Sequence, residues 1–290
     1  MKRNLTRRTA IGRIAGSAAL LAAASNISAS AQTAAPGLKG KINHSVCKWC
    51  YGGIPLEEFC VAVKEMGIKA IDLLDVKDFP TMKKHGLVCS MVSGVPGGIT
   101  EGLNRKENHD KIVKFFEETT PVVAEHGYPN IICFSGNRKG MSDAEGLENC
   151  AIGLKRITPI AEKHGVTIIM ELLNSKRSHK DYMCDHSAWG VDLCKKVGSE
   201  RFKLLYDIFH MQIMDGDVID TIKENNQYFG HYHTGGVPGR AEIDDTQEIY
   251  YPAVMKAIVA TGFKGFVAQE FIPRRTPLVS LKQAIQICDI

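Results

Sequence analysis

The chain has 290 residues, of which 44% are hydrophobic and 23% charged, a composition typical of a globular protein with a large core. The net charge of +4 comes from the N-terminus, because residues 1–31 hold five basic side chains and no acidic ones, which leaves about −1 for the rest. A near-neutral protein offers no basic footprint to nucleic acid, and no segment after residue 31 is long and apolar enough for a membrane helix.

The first 31 residues are predicted to be an export signal. A basic start precedes the apolar run 14–24, which is too short to span a bilayer, and Ala29-Ser30-Ala31 is a small-residue cleavage site. Thr6-Arg7-Arg8-Thr9 resembles a twin-arginine signal, and an ordinary secretory signal is the alternative. We expect cleavage near Gln32, a periplasmic mature protein, and a flexible lead-in over residues 32–40.

Helix-like segments, glycines and apolar runs then alternate along the chain. Glycine just past a helix end takes up the left-handed cap conformation at low cost, and each following apolar run reads as a buried strand. Six glycines occupy this position: Gly67, Gly86, Gly127, Gly165, Gly198 and Gly262. The repeat is the sequence form of βα units that build a parallel sheet.

Eight strands and eight helices follow from this pattern. The predicted strands cover residues 42–47, 69–74, 87–92, 130–134, 166–172, 202–207, 228–234 and 264–271. The predicted helices cover residues 55–66, 78–85, 104–126, 142–164, 186–197, 217–226, 246–261 and 276–288. We therefore expect a single α/β domain over residues 41–290, a (β/α)8 TIM barrel. A doubly wound open sheet is the alternative, but no strand is followed by a GxGxxG turn or a phosphate loop.

Four of the apolar runs end in side chains that can bind a metal ion: Glu171, Asp207, His233 and Glu270. The gaps between them are 36, 26 and 37 residues, enough for one helix and one strand each. Three carboxylates and one imidazole suit Mn²⁺ or Mg²⁺, with Co²⁺ as a further candidate, better than a sulfur-seeking metal. The alternative is a salt-bridge network at the rim of the barrel.

Nine cysteines, an odd number spread through apolar stretches, do not form the pattern of a disulfide framework. The Cys47-Lys48-Trp49-Cys50 motif is the exception. It could close a small disulfide in an oxidising compartment or take part in zinc or redox chemistry, and the alternative is a pair of loop cysteines beside a strand end.

From about Lys41 to the C-terminus, and most strongly after Val166, the chain resembles the hydroxypyruvate isomerases of the xylose isomerase-like barrel superfamily. The segments YDIFHMQ (206–212), HYHTGGVPGRAEID (231–244) and GFVAQEFIP (265–273) carry the resemblance. It implies that the four strand-end residues bind one divalent metal and that Glu171 and Glu270 act as the acid/base pair. It also implies that His210 and Arg240 contact the substrate. His233 is a departure, because hydroxypyruvate isomerases often carry Gln there, whereas the related ketose 3-epimerases have His.

The expected function is a metal-dependent isomerase that interconverts hydroxypyruvate and tartronate semialdehyde by proton transfer through an enediolate. A 3-epimerase or isomerase of a ketose, keto-sugar or glycoside would use the same residues. Metal-assisted phosphodiester cleavage and a non-catalytic sugar-binding barrel are further alternatives. The expected ligand is thus a small hydroxy-keto acid or sugar, and relatives of this family suggest a homo-oligomer.

Two substrate contacts have structural alternatives. Arg240 could instead form an ion pair at the rim with Glu242 or Asp244, and His210 could serve as a hydrogen-bonding partner of Asp207. Trp49, near the end of the first strand, could line the pocket or pack in the core.

Overall fold

The computed structural model describes residues 37–290. The predicted export signal over residues 1–31 and most of the lead-in over residues 32–40 lie outside the described residues. Within residues 37–290, none of the helices combines the length and apolarity that a membrane span requires.

Eight parallel strands with intervening helices form a nearly closed (β/α)8 barrel, which confirms the predicted fold. The strands are β1 (Asn43–Val46), β2 (Ala70–Leu74), β3 (Val88–Val92), β4 (Asn130–Cys133), β5 (Thr167–Glu171), β6 (Phe202–Asp207), β7 (Phe229–Thr234) and β8 (Phe266–Gln269). Their order is β1-β8-β7-β6-β5-β4-β3-β2, and a single parallel bridge between Cys47 and Asp72 joins the two ends of the sheet.

The α-helices cover the outside of the strands. They are α1 (Leu56–Glu65), α2 (Phe79–His85), α3 (His109–Glu125), α4 (Asp143–His164), α5 (Ser187–Val197), α6 (Ile208–Met214), α7 (Val218–Asn225), α8 (Tyr251–Ala260) and α9 (Pro277–Cys288). The six glycines predicted to follow helices all have positive φ. Gly86, Gly165 and Gly198 are left-handed C-caps, each followed within a few residues by a strand, so the local rule behind the prediction is confirmed.

Three helix predictions need correction. Helices α3 and α8 begin at His109 and Tyr251, five residues later than expected. A short 3-10 turn precedes α3, and Pro252 in the first turn of α8 favours a start directly before it. Helix α6 was not predicted. It begins immediately after β6 because the Asp207 side chain accepts a hydrogen bond from the His210 backbone N–H (2.9 Å) and caps the helix.

The core has two parts. A large cluster packs the outer faces of the strands against the helices, and a separate cluster of Met91, Ile132, Ile169 and Leu205 comes from the adjacent strands β3 to β6. Because alternate side chains of a strand point to opposite faces, the second cluster lies inside the barrel. The strands on the other side of the barrel contribute polar side chains instead, and these lie below the candidate site.

All nine cysteines are free thiols, so the disulfide between Cys47 and Cys50 is not formed. Cys47 is fully buried, with its Sγ 3.7 Å from His233 Nε2, while Cys50 lies on the short 3-10 helix Lys48–Tyr51. The two thiols therefore belong to different environments although they are three positions apart.

Candidate active site

The four predicted metal ligands converge at the carboxyl ends of their strands. Glu171 and Asp207 are the last residues of β5 and β6, His233 lies near the end of β7, and Glu270 directly follows β8. One ligand atom from each residue lies within 4.8 Å of those of the other three. Each side chain is buried, with at most 5% of any of the four residues exposed. The structure thus brings together the four side chains that the strand-end spacing singled out.

The imidazole of His233 faces the three carboxylates through Nδ1. This nitrogen lies 3.6 Å from Glu171 Oε1 and 3.8 Å from Asp207 Oδ2, and it contacts Glu270 Oε2. Three carboxylates around a buried ring nitrogen repel one another and its lone pair unless a cation lies between them. Nδ1 has no hydrogen-bond partner of suitable geometry among the described residues. The donor set therefore fits a divalent cation with a preference for oxygen ligands and one imidazole.

Arg240 supplies positive charge to the same cluster. Its Nη2 donates to Asp207 Oδ2 at 2.6 Å and to Glu270 Oε2, and its Cζ lies 4.7 Å from the centre of the Phe209 ring. The alternative of a rim ion pair with Glu242 or Asp244 is wrong for this arginine.

Glu242 and Asp244 are instead paired with Arg275, at 3.5 Å and 2.6 Å respectively. This leaves the guanidinium of Arg240 free to turn inward. The residue itself has a φ of +54°, a left-handed conformation that is uncommon for side chains other than glycine.

The ring of His210 lines the cavity beside Arg240. Its Nδ1 accepts a hydrogen bond from the Asn174 backbone N–H at 3.1 Å. Burial, with the Arg240 charge, holds the pKa of His210 well below its usual range, so the ring is neutral and its hydrogen lies on Nε2. The expected alternative, a hydrogen bond between the ring and Asp207, is not formed at 3.8 Å, and the bond to Asp207 comes from the backbone.

The two candidate catalytic glutamates have different pKa values because their surroundings differ. Burial raises the pKa of Glu171 to about 7, with His233 opposing the rise and Glu270 adding to it. Burial acts on Glu270 in the same direction, but the charges of Arg240 and His233 outweigh it and hold the pKa of Glu270 well below its usual range. Two carboxyl groups with separated pKa values are the pattern of an acid and a base.

Glu171 and Glu270 of the cluster lie at the floor of a cavity of about 750 Å³. Trp49, which is 48% exposed, stands at its wall and donates from Nε1 to Glu270 Oε1 at 2.6 Å. This decides between the two expectations for Trp49 in favour of the pocket. The remaining wall is largely apolar and includes Leu73, Ile99, Phe134, Phe209 and Ile272.

Sequence reasoning missed two polar residues below the cluster, Asp72 and His231, and one beside it, His179. Asp72 lies in the middle of the apolar strand β2, whereas the signal that identified Asp207 was an acid at the end of a strand. His179 lines the cavity with its ring 5.3 Å from the ring of His210, and only its position in a long loop after β5 could have pointed to it.

Barrel and site together define the class of protein. Residues 60–288 match the family described as the xylose isomerase-like TIM barrel, and the chain belongs to this family. The candidate ligands of this chain lie at the carboxyl ends of the strands, which is where (β/α)8 enzymes generally have their active sites.

Relatives of known name are isomerases. The chain is 31% identical over 235 residues to a putative hydroxypyruvate isomerase of Homo sapiens, an alignment that covers 78% of each protein. It is 33% identical over 128 residues to the 2-oxo-tetronate isomerase of Cupriavidus necator, where the alignment covers 44% of this chain and 47% of the relative, about half of its length. These names confirm the prediction of an enzyme of the isomerase class.

Solved structures share the fold at lower identity. An AP endonuclease, family 2, from Brucella melitensis has a TM-score of 0.74 and 22% identity, with 83% of this chain and 97% of that one covered. A 3-keto-D-glucoside 4-epimerase from E. coli has a TM-score of 0.72 and 17% identity, with 84% and 98% covered. Both likenesses support the barrel architecture alone.

Proposed function

We propose that the protein is a divalent-metal-dependent isomerase that moves a carbonyl group between neighbouring carbons of a hydroxy-keto acid, with hydroxypyruvate and tartronate semialdehyde as the pair. The observation that carries this proposal is the convergence of Glu171, Asp207, His233 and Glu270 within 4.8 Å on the floor of a cavity. The names of the curated relatives support the choice of reaction. Oxygen-rich ligation favours Mn²⁺ or Mg²⁺, with Co²⁺ next.

Proton transfer is the work of the two glutamates. Glu270 takes the proton from the hydroxyl-bearing carbon, Glu171 returns a proton to the former carbonyl carbon, and the hydroxyl proton passes to the carbonyl oxygen. Glu171, Asp207, His233 and Glu270 would hold the metal, which would supply a Lewis acid that polarises the substrate carbonyl. Arg240 and the Nε2–H of His210 face the cavity, where they bind the carboxylate and hydroxyl oxygens of the substrate.

A second candidate keeps the site and changes the substrate to a ketose, keto-sugar or glycoside, which the enzyme would epimerise or isomerise. The size of the cavity favours this candidate. At about 750 Å³ it lies in the range of pockets that take ligands considerably larger than a three-carbon acid. An apolar wall opposite the charged floor also suits a larger ligand, and His233 is the residue that ketose 3-epimerases carry.

Hydrogen exchange tests both candidates at once. Protein loaded with Mn²⁺, freed of excess metal, is incubated in D2O with hydroxypyruvate and separately with a panel of ketoses and keto-sugars, and the recovered compounds are analysed by NMR. Exchange that needs the metal and is lost in Glu171→Gln and Glu270→Gln supports the acid/base pair, and the compound that exchanges identifies the substrate. Glu148→Gln, an exposed glutamate outside the cavity, is the matched control.

Absence of exchange with every compound, despite bound metal, contradicts the isomerase. Binding of a sugar without exchange would then identify a sugar-binding barrel, and hydrolysis of a phosphodiester would identify the hydrolytic alternative. The near-neutral mature chain argues against the latter, since it lacks a basic surface for nucleic acid.

We also propose that the chain is exported by the twin-arginine route, on the strength of Arg7 and Arg8 in the basic N-terminal segment. Replacing both arginines with lysine should retain the precursor in the cytoplasm. Fractionation of cells that express the two forms checks this, and periplasmic protein from the double variant would point to the ordinary secretory route.

A further inference from the structure

A group of polar side chains lies inside the barrel, directly below the metal cluster. Ser45, Asp72, Ser90, His231 and His233 are all fully buried, each with 0% exposure. Polar groups inside an apolar barrel cost free energy unless each is hydrogen-bonded, and an ionised carboxylate costs most. We therefore expect this group to have a functional role that outweighs the free-energy cost of burying it.

Asp72 is the centre of the group and has all its acceptor positions filled. Its Oδ1 accepts from Ser45 Oγ at 2.6 Å and from Ser90 Oγ. Its Oδ2 lies 2.6 Å from His231 Nε2 and 3.1 Å from His233 Nε2. An ionised carboxylate can only accept hydrogen bonds, so both imidazoles carry a hydrogen on Nε2.

The hydrogen on Nε2 decides what the other nitrogen of His233 can do. With Nε2 protonated and directed at Asp72, Nδ1 is the nitrogen that faces Glu171, Asp207 and Glu270, and it offers its lone pair to an ion that displaces any hydrogen from it. Only this tautomer can act as a metal ligand through Nδ1, because a ring with its hydrogen on Nδ1 would present a proton to the ion. Carboxylate, imidazole and metal in series is a common arrangement for histidine ligands.

We propose that Asp72 is the positioning residue of the metal centre: it fixes the tautomer and the ring orientation of His233 from inside the barrel. Asp72 itself neither lines the cavity nor belongs to the group of four candidate ligands. The inference rests on the metal centre of the proposed function and goes further, because it assigns a role to a strand, β2, that contributes no ligand.

Local geometry of β2 supports this role. The pairing of β2 with β3 shifts register on both sides of Asp72, and Leu73 has a φ of +60°, which is strained for a leucine. In a regular strand, neighbouring side chains point to opposite faces. Here Asp72 points into the barrel and Leu73 lines the cavity above it. The bulge therefore lets β2 supply both the hydrogen-bonding partner of His233 and a part of the cavity wall.

A second metal ion between Asp72, His231 and His233 is the competing explanation, since these three residues also lie close enough to share an ion. The distances argue against it. Separations of 2.6 Å and 3.1 Å between Asp72 Oδ2 and the two Nε2 atoms are hydrogen-bond lengths, and with both serine hydroxyls on Oδ1 the carboxylate is fully partnered without a cation.

Metal affinity of variants tests the proposal. Isothermal titration of metal-free protein with Mn²⁺ should give one ion per chain, and Asp72→Ala, which removes the acceptor, should bind it about 10- to 100-fold more weakly. Asp72→Asn should recover most of the affinity, because its Oδ1 can accept from both histidines while its Nδ2 donates to the serines. Ser90→Ala is the matched control and should bind close to normally, because the Ser90 hydroxyl contacts Asp72 at Oδ1 and not at the oxygen that faces the histidines.

A spectroscopic measurement keeps the test independent of whether Asp72→Ala folds. In protein labelled with ¹⁵N-histidine and loaded with diamagnetic Zn²⁺, long-range ¹H–¹⁵N correlations should show the hydrogen of His233 on Nε2, in the unchanged protein and in Asp72→Asn. The resonance is assigned by its loss in His233→Gln. A hydrogen on Nδ1 would overturn the proposal.

The proposal would also be overturned by two Mn²⁺ ions per chain or by an unchanged Mn²⁺ affinity in Asp72→Ala. Equal losses of Mn²⁺ affinity in Asp72→Ala and Asp72→Asn would overturn it too, because the negative charge of Asp72 rather than its hydrogen-bond acceptor would then be the cause. Equal losses in Ser90→Ala and Asp72→Ala would reduce the effect to general disruption of the core. Failure of the unchanged protein to bind Mn²⁺ refutes the proposed function itself, so the two failures are distinguishable.

Discussion

Glu171 is predicted to destabilise the metal-free protein at neutral and alkaline pH. Burial raises its pKa from 4.5 to about 7, so the folded state binds this proton more tightly than the unfolded state does. Its stabilising contribution is present below pH 4.5 and is lost as the pH rises through 7. At 1.36 kcal/mol per pKa unit, the shift corresponds to about 3 kcal/mol between pH 4 and pH 8.

Glu171→Gln removes the titrating group and should therefore remove this pH dependence. With metal chelated, the variant should gain about 3 kcal/mol relative to the unchanged protein on going from pH 4 to pH 8. Urea unfolding at the two pH values measures the free energy of unfolding of both proteins. Comparing their difference at pH 4 with that at pH 8 cancels any effect of the amide that does not depend on pH. Adding Mn²⁺ at pH 8 should reverse the order, because the ion stabilises the ionised carboxylate of the unchanged protein.

Glu242→Gln is a matched control, for which we expect the opposite dependence of stability on pH. Burial alone would raise the pKa of Glu242, but hydrogen bonds from its own backbone, Ser280, Arg275 and Arg274 hold it below its usual range. Its contribution is present above the unfolded pKa and is lost as the pH falls, so this variant should be the less stable one at pH 8. A Glu171→Gln variant with the same pH dependence as the unchanged protein would refute the reasoning.

Three further perturbations have definite expected outcomes. Chelation should abolish turnover, and Mn²⁺ restored at 100 times its dissociation constant should stabilise the protein by about 2.7 kcal/mol, measured as a rise in Tm. Trp49→Phe removes the Nε1 donor to Glu270 (2.6 Å) and should lower kcat/KM about tenfold in steady-state assays, and an unchanged value would mean that this hydrogen bond is absent in the working enzyme. Gly102→Ala would place a Cβ 2.3 Å from the Phe134 carbonyl oxygen and 2.4 Å from the Gly136 nitrogen, so its Tm should fall by the equivalent of more than about 2 kcal/mol, whereas a small change would show that the loop can shift.

The barrel could be predicted because its signals are local. Each βα unit carries its own helix end, glycine and apolar run, as in the segment from α4 through Gly165 to β5. The four candidate ligands could be found for a related reason. Parallel strands of a barrel bring their carboxyl ends to one face, so an acid or imidazole at the end of a strand is placed by topology alone.

The interior network could not be predicted because its partners are far apart in the chain. Asp72 and His231 are separated by 159 positions, and their contact depends on which side chains face inward on two strands that are not hydrogen-bonded to each other. A one-residue shift reverses the direction of every side chain of a strand. The bulge at Leu73 makes such a shift, and AIDLL contains no glycine to announce it.

Sequence proximity was misleading for Arg240. Glu242 and Asp244 lie two and four positions away, yet the left-handed backbone at Arg240 turns its side chain toward Asp207 and Glu270, which lie 33 and 30 positions away. Short separation within a loop says little about contact, because an irregular backbone lacks the fixed periodicity of a helix or strand.

His210 and Arg240 together define where a substrate oxygen should bind. The Asn174 N–H fixes the ring hydrogen of His210 on Nε2, and Nη1 of Arg240, which can only donate, lies 2.9 Å from that nitrogen. Two donors in direct contact share no acceptor. An oxygen of a carboxylate or hydroxyl group that displaced Nη1 from the ring would accept from both, and the arginine would move away from the carboxylates as it turned to that oxygen. Substrate and cation binding would then favour each other, because the contact of Arg240 with Asp207 and Glu270 competes with both.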